Sequence, residues 1–181
     1  MEDSSKETSD DHRLGTLTEL LAQIRRVLTD LGREGTTEHR RDLIEDLMTG
    51  IYSLGLLLHR EPLLRSSPEM LKFLRDGQSL LLMAVPSILS YVNTTESKFY
   101  ASWVYDEWTR VSIRRSAIEF LRELFRETSF AEFLAFFNTD DIDKMFPSKE
   151  EKGGYLPVEN IPIGIPPSHW WWWYPEAPPS P

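Results

Sequence analysis

The chain has 181 residues, no cysteine and a formal net charge of −9. Without thiols there is no disulfide, no cysteine nucleophile and no Cys-based zinc or iron–sulfur site, and the acidic balance argues against a phosphate-backbone binder, which needs clustered excess positive charge. One domain with tails is the economical reading at this length, since a core segment of about 130 residues buries roughly two-thirds of its unfolded surface.

The N-terminus, Met-Glu-Asp-Ser-Ser-Lys-Glu, lacks the apolar run of a secretory signal, so a cytoplasmic protein is expected. Residues 1–13 are polar and charged without an apolar period and read as an unstructured tail. Thr16-Leu-Thr-Glu19 is a capping box, in which a hydroxyl and a carboxylate satisfy opposing orphan N–H groups. Around it Leu14, Leu17, Leu20, Leu21, Ile24, Val27, Leu28 and Leu31 make one helical stripe, and Gly32 stands where a left-handed terminal residue belongs. Thr36-Thr37 opens a second helix running to about Arg60, with Leu43, Ile44, Leu47, Met48, Ile51, Tyr52, Leu54 and Leu58 on its buried side. Gly55 weakens its last turn and Pro62 ends it.

Ser66-Ser-Pro-Glu69 is another capping box, followed by a short helix that stops at Asp76-Gly77. Gly77 to Val92 is then apolar all round, which requires enclosure by other helices or by lipid. Its 16 residues fall short of the roughly 20 needed for a membrane span. It is expected to be the central helix of a bundle, kinked at Pro86. Asn93-Thr-Thr95 matches a glycosylation sequon and reads as a helix-capping turn. The pattern from Phe99 to Arg126 favours one continuous helix over two, although Ser116-Ala-Ile-Glu119 is a capping box inside it. Ser129-Phe-Ala-Glu132 opens a short aromatic helix, and Asp140 or Asp141 caps a last turn that Pro147 stops. No stretch alternates apolar and polar residues over a strand length. The fold class expected is all-α, a single bundle of six to seven helices over residues 14–147.

Residues 148–154 read as a linker and residues 155–181 as a Pro/Trp-rich tail that includes Trp170, Trp171, Trp172, Trp173 and Tyr174. Prolines this dense favour extended polyproline geometry. The four adjacent indoles carry three readings: a partner-binding peptide, since Trp is a typical hot-spot anchor; a membrane-interface anchor; or a tail folded back over its own domain. Trp103 and Trp108, with Tyr100 and Tyr105, crowd one helix and define either a contact surface or packing against neighbours.

Catalytic patterns are missing. His12, His39, His59 and His169 show no metal-ligand spacing, and there is no phosphate-cradling glycine loop or nucleophile elbow. Asn138 to Asp143 resembles a calcium loop but lacks its glycine and terminal glutamate. The pairs Arg25-Arg26, Arg40-Arg41 and Arg114-Arg115 sit among acids and read as solvated faces or a docking patch. No enzyme activity, cofactor or metal is expected.

Phe73-Leu-Arg-Asp-Gly77 ahead of the apolar helix resembles the first conserved motif of Bcl-2-like apoptosis regulators, and Phe130-Ala-Glu-Phe133 resembles their second. The run Gly77 to Val92 followed by Tyr100 to Arg115 is similar to the small viral members of that family, of adenoviral type. The resemblance covers roughly residues 70–135. It implies a groove that accepts a partner's amphipathic helix, with Leu81 and Val85 on its floor, and antagonism of cell death in a host–virus setting. Leu80-Leu-Leu82 replaces the family's Trp-Gly-Arg, so the arginine that would meet a partner aspartate is missing. Thr128-Ser129 replaces its Gly-Gly, no hydrophobic anchor follows, and a partner-helix-like pattern at Leu28 to Gly32 continues with Arg33 where that motif has Asp. The function expected is a non-enzymatic module that binds a helix or peptide of a protein partner; the alternative is an adaptor acting through its tail, by partner recruitment or membrane contact at Trp170–Trp173.

Overall fold

The computed structural model describes residues 3–33, 35–101, 105–150 and 156–176, and these are helical with no strand. The helices are α1 (Asp3–Leu31), α2 (Thr37–Arg60), α3 (Pro68–Ala101), α4 (Tyr105–Phe125), α5 (Ala131–Leu134) and α6 (Asp140–Glu150). Short 3-10 turns lie at Pro62–Ser66, Val158–Asn160 and Trp170–Trp172. The expected all-α bundle is what forms.

Caps and stops explain some boundaries. Thr36 Oγ1 accepts from the His39 N–H and starts α2, and Ser67 Oγ accepts from the Met70 N–H and starts α3 with Pro68 as its first residue. Other boundaries differ from the sequence pattern. The bounds of α1 reach back before Thr16 into the segment expected as a tail, and Thr16 Oγ1 donates to the His12 carbonyl instead of capping. Gly32 does not take a left-handed conformation; Gly164, at φ +93, is the one positive-φ glycine among the described residues. Asp76-Gly77 and Thr94-Thr95 do not interrupt α3. The threonine hydroxyls donate to the Tyr91 carbonyl within the helix, which removes their pull toward a cap or turn. Pro147 lies inside α6 instead of ending it.

The Gly77–Val92 stretch is not enclosed on every side. Leu81, Ala84, Ile88, Tyr91 and Val92 are buried at helical spacing, while Leu82 and Met83 are 41% and 55% exposed. The enclosed helix is instead the C-terminal half of α2, where Gly50, Ile51, Tyr52, Leu54, Gly55, Leu57 and Leu58 are all buried. α2 packs against α1, α3 and α4. Gly55 is not a weak last turn but the point of closest approach: a Cβ there would stand 2.2 Å from Cγ of Phe120 on α4. Only a glycine lets the two backbones meet with that ring between them.

The middle of α4 is also enclosed, and there polar residues are buried beside apolar ones: Ser112, Arg114, Arg115 and Ser116 between Val111 and Ala117. The Arg114-Arg115 pair is therefore not a solvated face. Arg114 Nε donates to Thr95 Oγ1 at 2.8 Å, and its two terminal nitrogens reach the Tyr91 carbonyl, Thr94 Oγ1 and the Glu45 carboxylate. Its guanidinium also lies 3.6 Å over the Tyr91 ring. Arg115 grips Asp143 of α6 with two bonds, at 2.7 and 3.1 Å, and Glu119 with a third at 2.9 Å. Taking a guanidinium out of water costs several kcal/mol unless its donors are met, so these partners fix α3 and α6 to α4.

Candidate functional site

Two surfaces meet on α4. The first is closed by the chain's own C-terminal segment. From Leu156 this segment passes Gly164, whose turn lies so near α2 that a Cβ would come within 2.9 Å of Arg60 Cγ and 3.3 Å of the Leu56 carbonyl. It then sets His169 and the indoles on α4. Trp171, Trp172 and Trp173 are buried, with Trp170 and Tyr174 half-buried. Of the three readings of the Trp run, folding back is the arrangement observed.

The docking is polar as well as apolar. Ser116 Oγ accepts from Trp172 Nε1 at 2.8 Å and from Trp171 Nε1 at 3.2 Å, and lies 3.0 Å from His169 Nδ1. Trp171 Nε1 also lies 3.3 Å from the Ser112 carbonyl, and Trp108 Nε1 donates to the Trp171 carbonyl at 3.3 Å. The His169 ring stacks on Trp171 with centroids 4.7 Å apart and packs against Phe120 at 4.6 Å. Arg115, already holding Asp143 and Glu119, places its guanidinium 4.1 Å over the Trp171 ring, an attraction that strengthens away from water. Trp108 and Trp170 both pack edge-on against Phe146 of α6. Sequence reasoning found the tryptophans but missed Ser116, His169, Arg115 and Glu123. The box at Ser116-Ala-Ile-Glu119 was the available signal: a serine in mid-helix needs a partner, and this one's is the tail.

His169 is enclosed completely, and burial pushes its pKa down to about 4 against the upward pull of Glu123 and Glu119. Its Nε2 lies 3.9 Å from Glu123 Oε1. Glu123 also bonds His59 at 3.0 Å. Burial alone would raise the Glu123 pKa, but the His59 bond and the charges of His59, His169 and Arg65 outweigh it and hold the carboxyl below its ordinary value. Ser116, His169 and Glu123 thus stand in the order of a nucleophile, base and acid. The Ser116 side chain has no exposed surface and its oxygen is covered by two indoles, so no substrate carbonyl reaches it in this arrangement. Among the described residues no group of three or more His, Asp or Glu side chains is placed to hold a metal, and no helix is long and apolar enough to cross a membrane.

The second surface is open. A groove of about 1060 Å³ lies between the C-terminal ends of α2 and α4 and the first turns of α3. Leu58, Met70, Leu71, Leu74 and Leu124 line it, with Arg65, Arg75, Arg126, Glu123 and Glu127 around its rim. Leu71 is 55% exposed. Leu71, Arg75, Gln78 and Leu82 follow one another at helical spacing, so the exposed flank of α3 continues the groove. Of the residues expected on a groove floor, Leu81 is buried in the core and Val85 is half-buried, and neither lines this groove. Trp108 is buried and Trp103 lies outside the described residues. The Tyr100 and Tyr105 side chains are likewise outside them.

No family model, curated protein or solved structure matches the chain.

Proposed function

We propose that this chain is a non-enzymatic, cytoplasmic binding module that holds an acidic amphipathic helix of a partner protein in the groove between α2, α3 and α4. The observation that carries the reading is an open apolar groove with a mixed charged rim: exposed Leu71 and half-buried Leu74 stand among Arg65, Arg75 and Arg126, with Glu123 and Glu127 beside them, in a chain that as a whole carries −9. A helix with leucine-type anchors at i, i+3 or i+4, and i+7 would cover Leu71 and Leu74. Acidic residues flanking those anchors would meet the arginines, which steers encounter and sets orientation. The resemblance to Bcl-2-like regulators makes a death-promoting amphipathic helix the first peptide to try, and antagonism of cell death the cellular expectation. The tail is the weaker surface for a partner, because its indoles are already spent on α4.

The test is fluorescence anisotropy of labelled acidic amphipathic peptides, the death-promoting type among them, titrated with the full chain and with Leu71→Glu. Binding that falls at least tenfold in the variant, with helicity unchanged, supports the groove. Equal binding by both proteins, or none by any peptide, overturns it.

A further inference from the structure

The tail is held by a hydrogen-bond pattern that disfavours a second proton on His169. A serine oxygen offers two lone pairs and one hydrogen. At Ser116 one lone pair is taken by the Trp172 indole N–H and the other is shared with the Ser112 carbonyl as acceptor for Trp171, an arrangement that turns the hydroxyl hydrogen toward His169 Nδ1, 3.0 Å away. His169 therefore accepts at Nδ1 and carries its proton on Nε2. That nitrogen is buried without a hydrogen-bond partner, and Glu123 Oε1 at 3.9 Å is beyond hydrogen-bond reach. A second proton would enter at Nδ1, where Ser116 must turn its hydrogen away and give up its share of the Trp171 N–H to accept it.

The surroundings give the resulting cation little help. Phe120 and Trp171 cover the ring from two sides. Glu123 and Glu119 on α4 favour an imidazolium, while Arg115 on α4 and His59 on α2 oppose it. Arg65 and His59 also draw on the Glu123 charge, and Asp143 of α6 on that of Arg115. Outside the docked state the same ring meets water and needs none of these compensations.

We propose that residues 156–176 are an acid-released latch: proton uptake at His169 breaks its bond to Ser116 and lifts the Trp segment from α4, while α1 to α4 stay folded. Release bares Trp108, Phe120 and Phe146 together with the tail's own indoles, an aromatic surface that is closed at neutral pH. The docked ring has the lower pKa, so docking is at full strength above the ordinary histidine value and weakens as pH falls from there toward 4. A free value of about 6.5 and a docked value of about 4 reduce the docking equilibrium about 20-fold between pH 7 and pH 5. This device stands independently of what occupies the groove.

Native-state hydrogen exchange on the full-length chain reads that equilibrium segment by segment. With intrinsic rates divided out, protection of residues 156–176 is expected to fall about 20-fold between pH 7 and pH 5, with α2 and α4 unchanged. In His169→Gln, which cannot titrate, the fall should vanish. His169→Phe keeps a ring between Phe120 and Trp171 and serves as the second control should glutamine fail to dock. A tail as protected at pH 5 as at pH 7 overturns the latch. So does a parallel loss in α2 and α4, or a fall that persists in the variants, which would assign the effect to a group other than His169.

Discussion

The two surfaces on α4 are built from similar side chains and have opposite fates. Both set apolar residues beside arginines, yet one is filled by the chain's own tryptophans and the other is open to solvent. On the closed surface the polar groups are largely answered: the Trp171 and Trp172 indoles by Ser116 and the Ser112 carbonyl, Trp108 by the Trp171 carbonyl, and the Arg115 guanidinium by two carboxylates and an indole face, while His169 Nε2 and Ser112 Oγ are buried without a partner. On the open surface Leu71 and the arginine rim face water. A surface already covered by its own indoles is spent; one with an exposed leucine and charges around it still has binding energy to realise. Glu123 belongs to both, bonded to His59 on the groove side and facing His169 on the tail side.

The contrast is most exposed to failure at Trp172. If the tail is part of the core, Trp172→Ala should cost about 3–5 kcal/mol, as for other fully buried Trp truncations, read as a large drop in the urea midpoint; a change below about 1 kcal/mol would mean the indoles are not held as described. Ser116→Ala separates packing from hydrogen bonding on the same surface. It leaves the Trp172 N–H and His169 Nδ1 unpaired in a dry site, for a loss of about 1–3 kcal/mol, and a neutral result would remove Ser116 from the account of docking. The smallest effect belongs to the open groove. Leu71→Ala should change stability by no more than about 0.5 kcal/mol, because its side chain is already wet; a larger loss would show that the groove is closed in solution.

How far the sequence could be read differs between these surfaces. The helix stripes of α1 and α2 were legible, because an apolar period of three to four residues reports directly on which face is buried. So was the start of α2 at Thr36, a local event between a hydroxyl and an N–H three residues on. Gly77 to Val92 misled, because apolar content says that a segment prefers to be covered and not whether the fold has cover to spare; Leu82 and Met83 were left out. Arg114 and Arg115 misled in the other direction. Their charge suggested solvent, and much of what burial requires is supplied from afar, by Glu45 and Asp143, more than 25 residues away in the chain. The groove was expected on Leu81 and Val85 and lies on Leu71 and Leu74 instead, since which flank of a helix stays open depends on the neighbours that reach it.

Local chemistry therefore determined what each segment can be: an all-helical chain, a capped α2, a proline-dense tail unable to continue a helix, and indoles that must be buried or bind. Where those indoles go was decided by tertiary structure alone. A glycine at position 55 lets α2 and α4 close on Phe120, that closure gives the His169 ring a wall to pack on, and a serine with no cap to form becomes the oxygen that holds the tail. Gly55, α4 and His169 come from three distant stretches of the chain, so no local pattern could record that they meet.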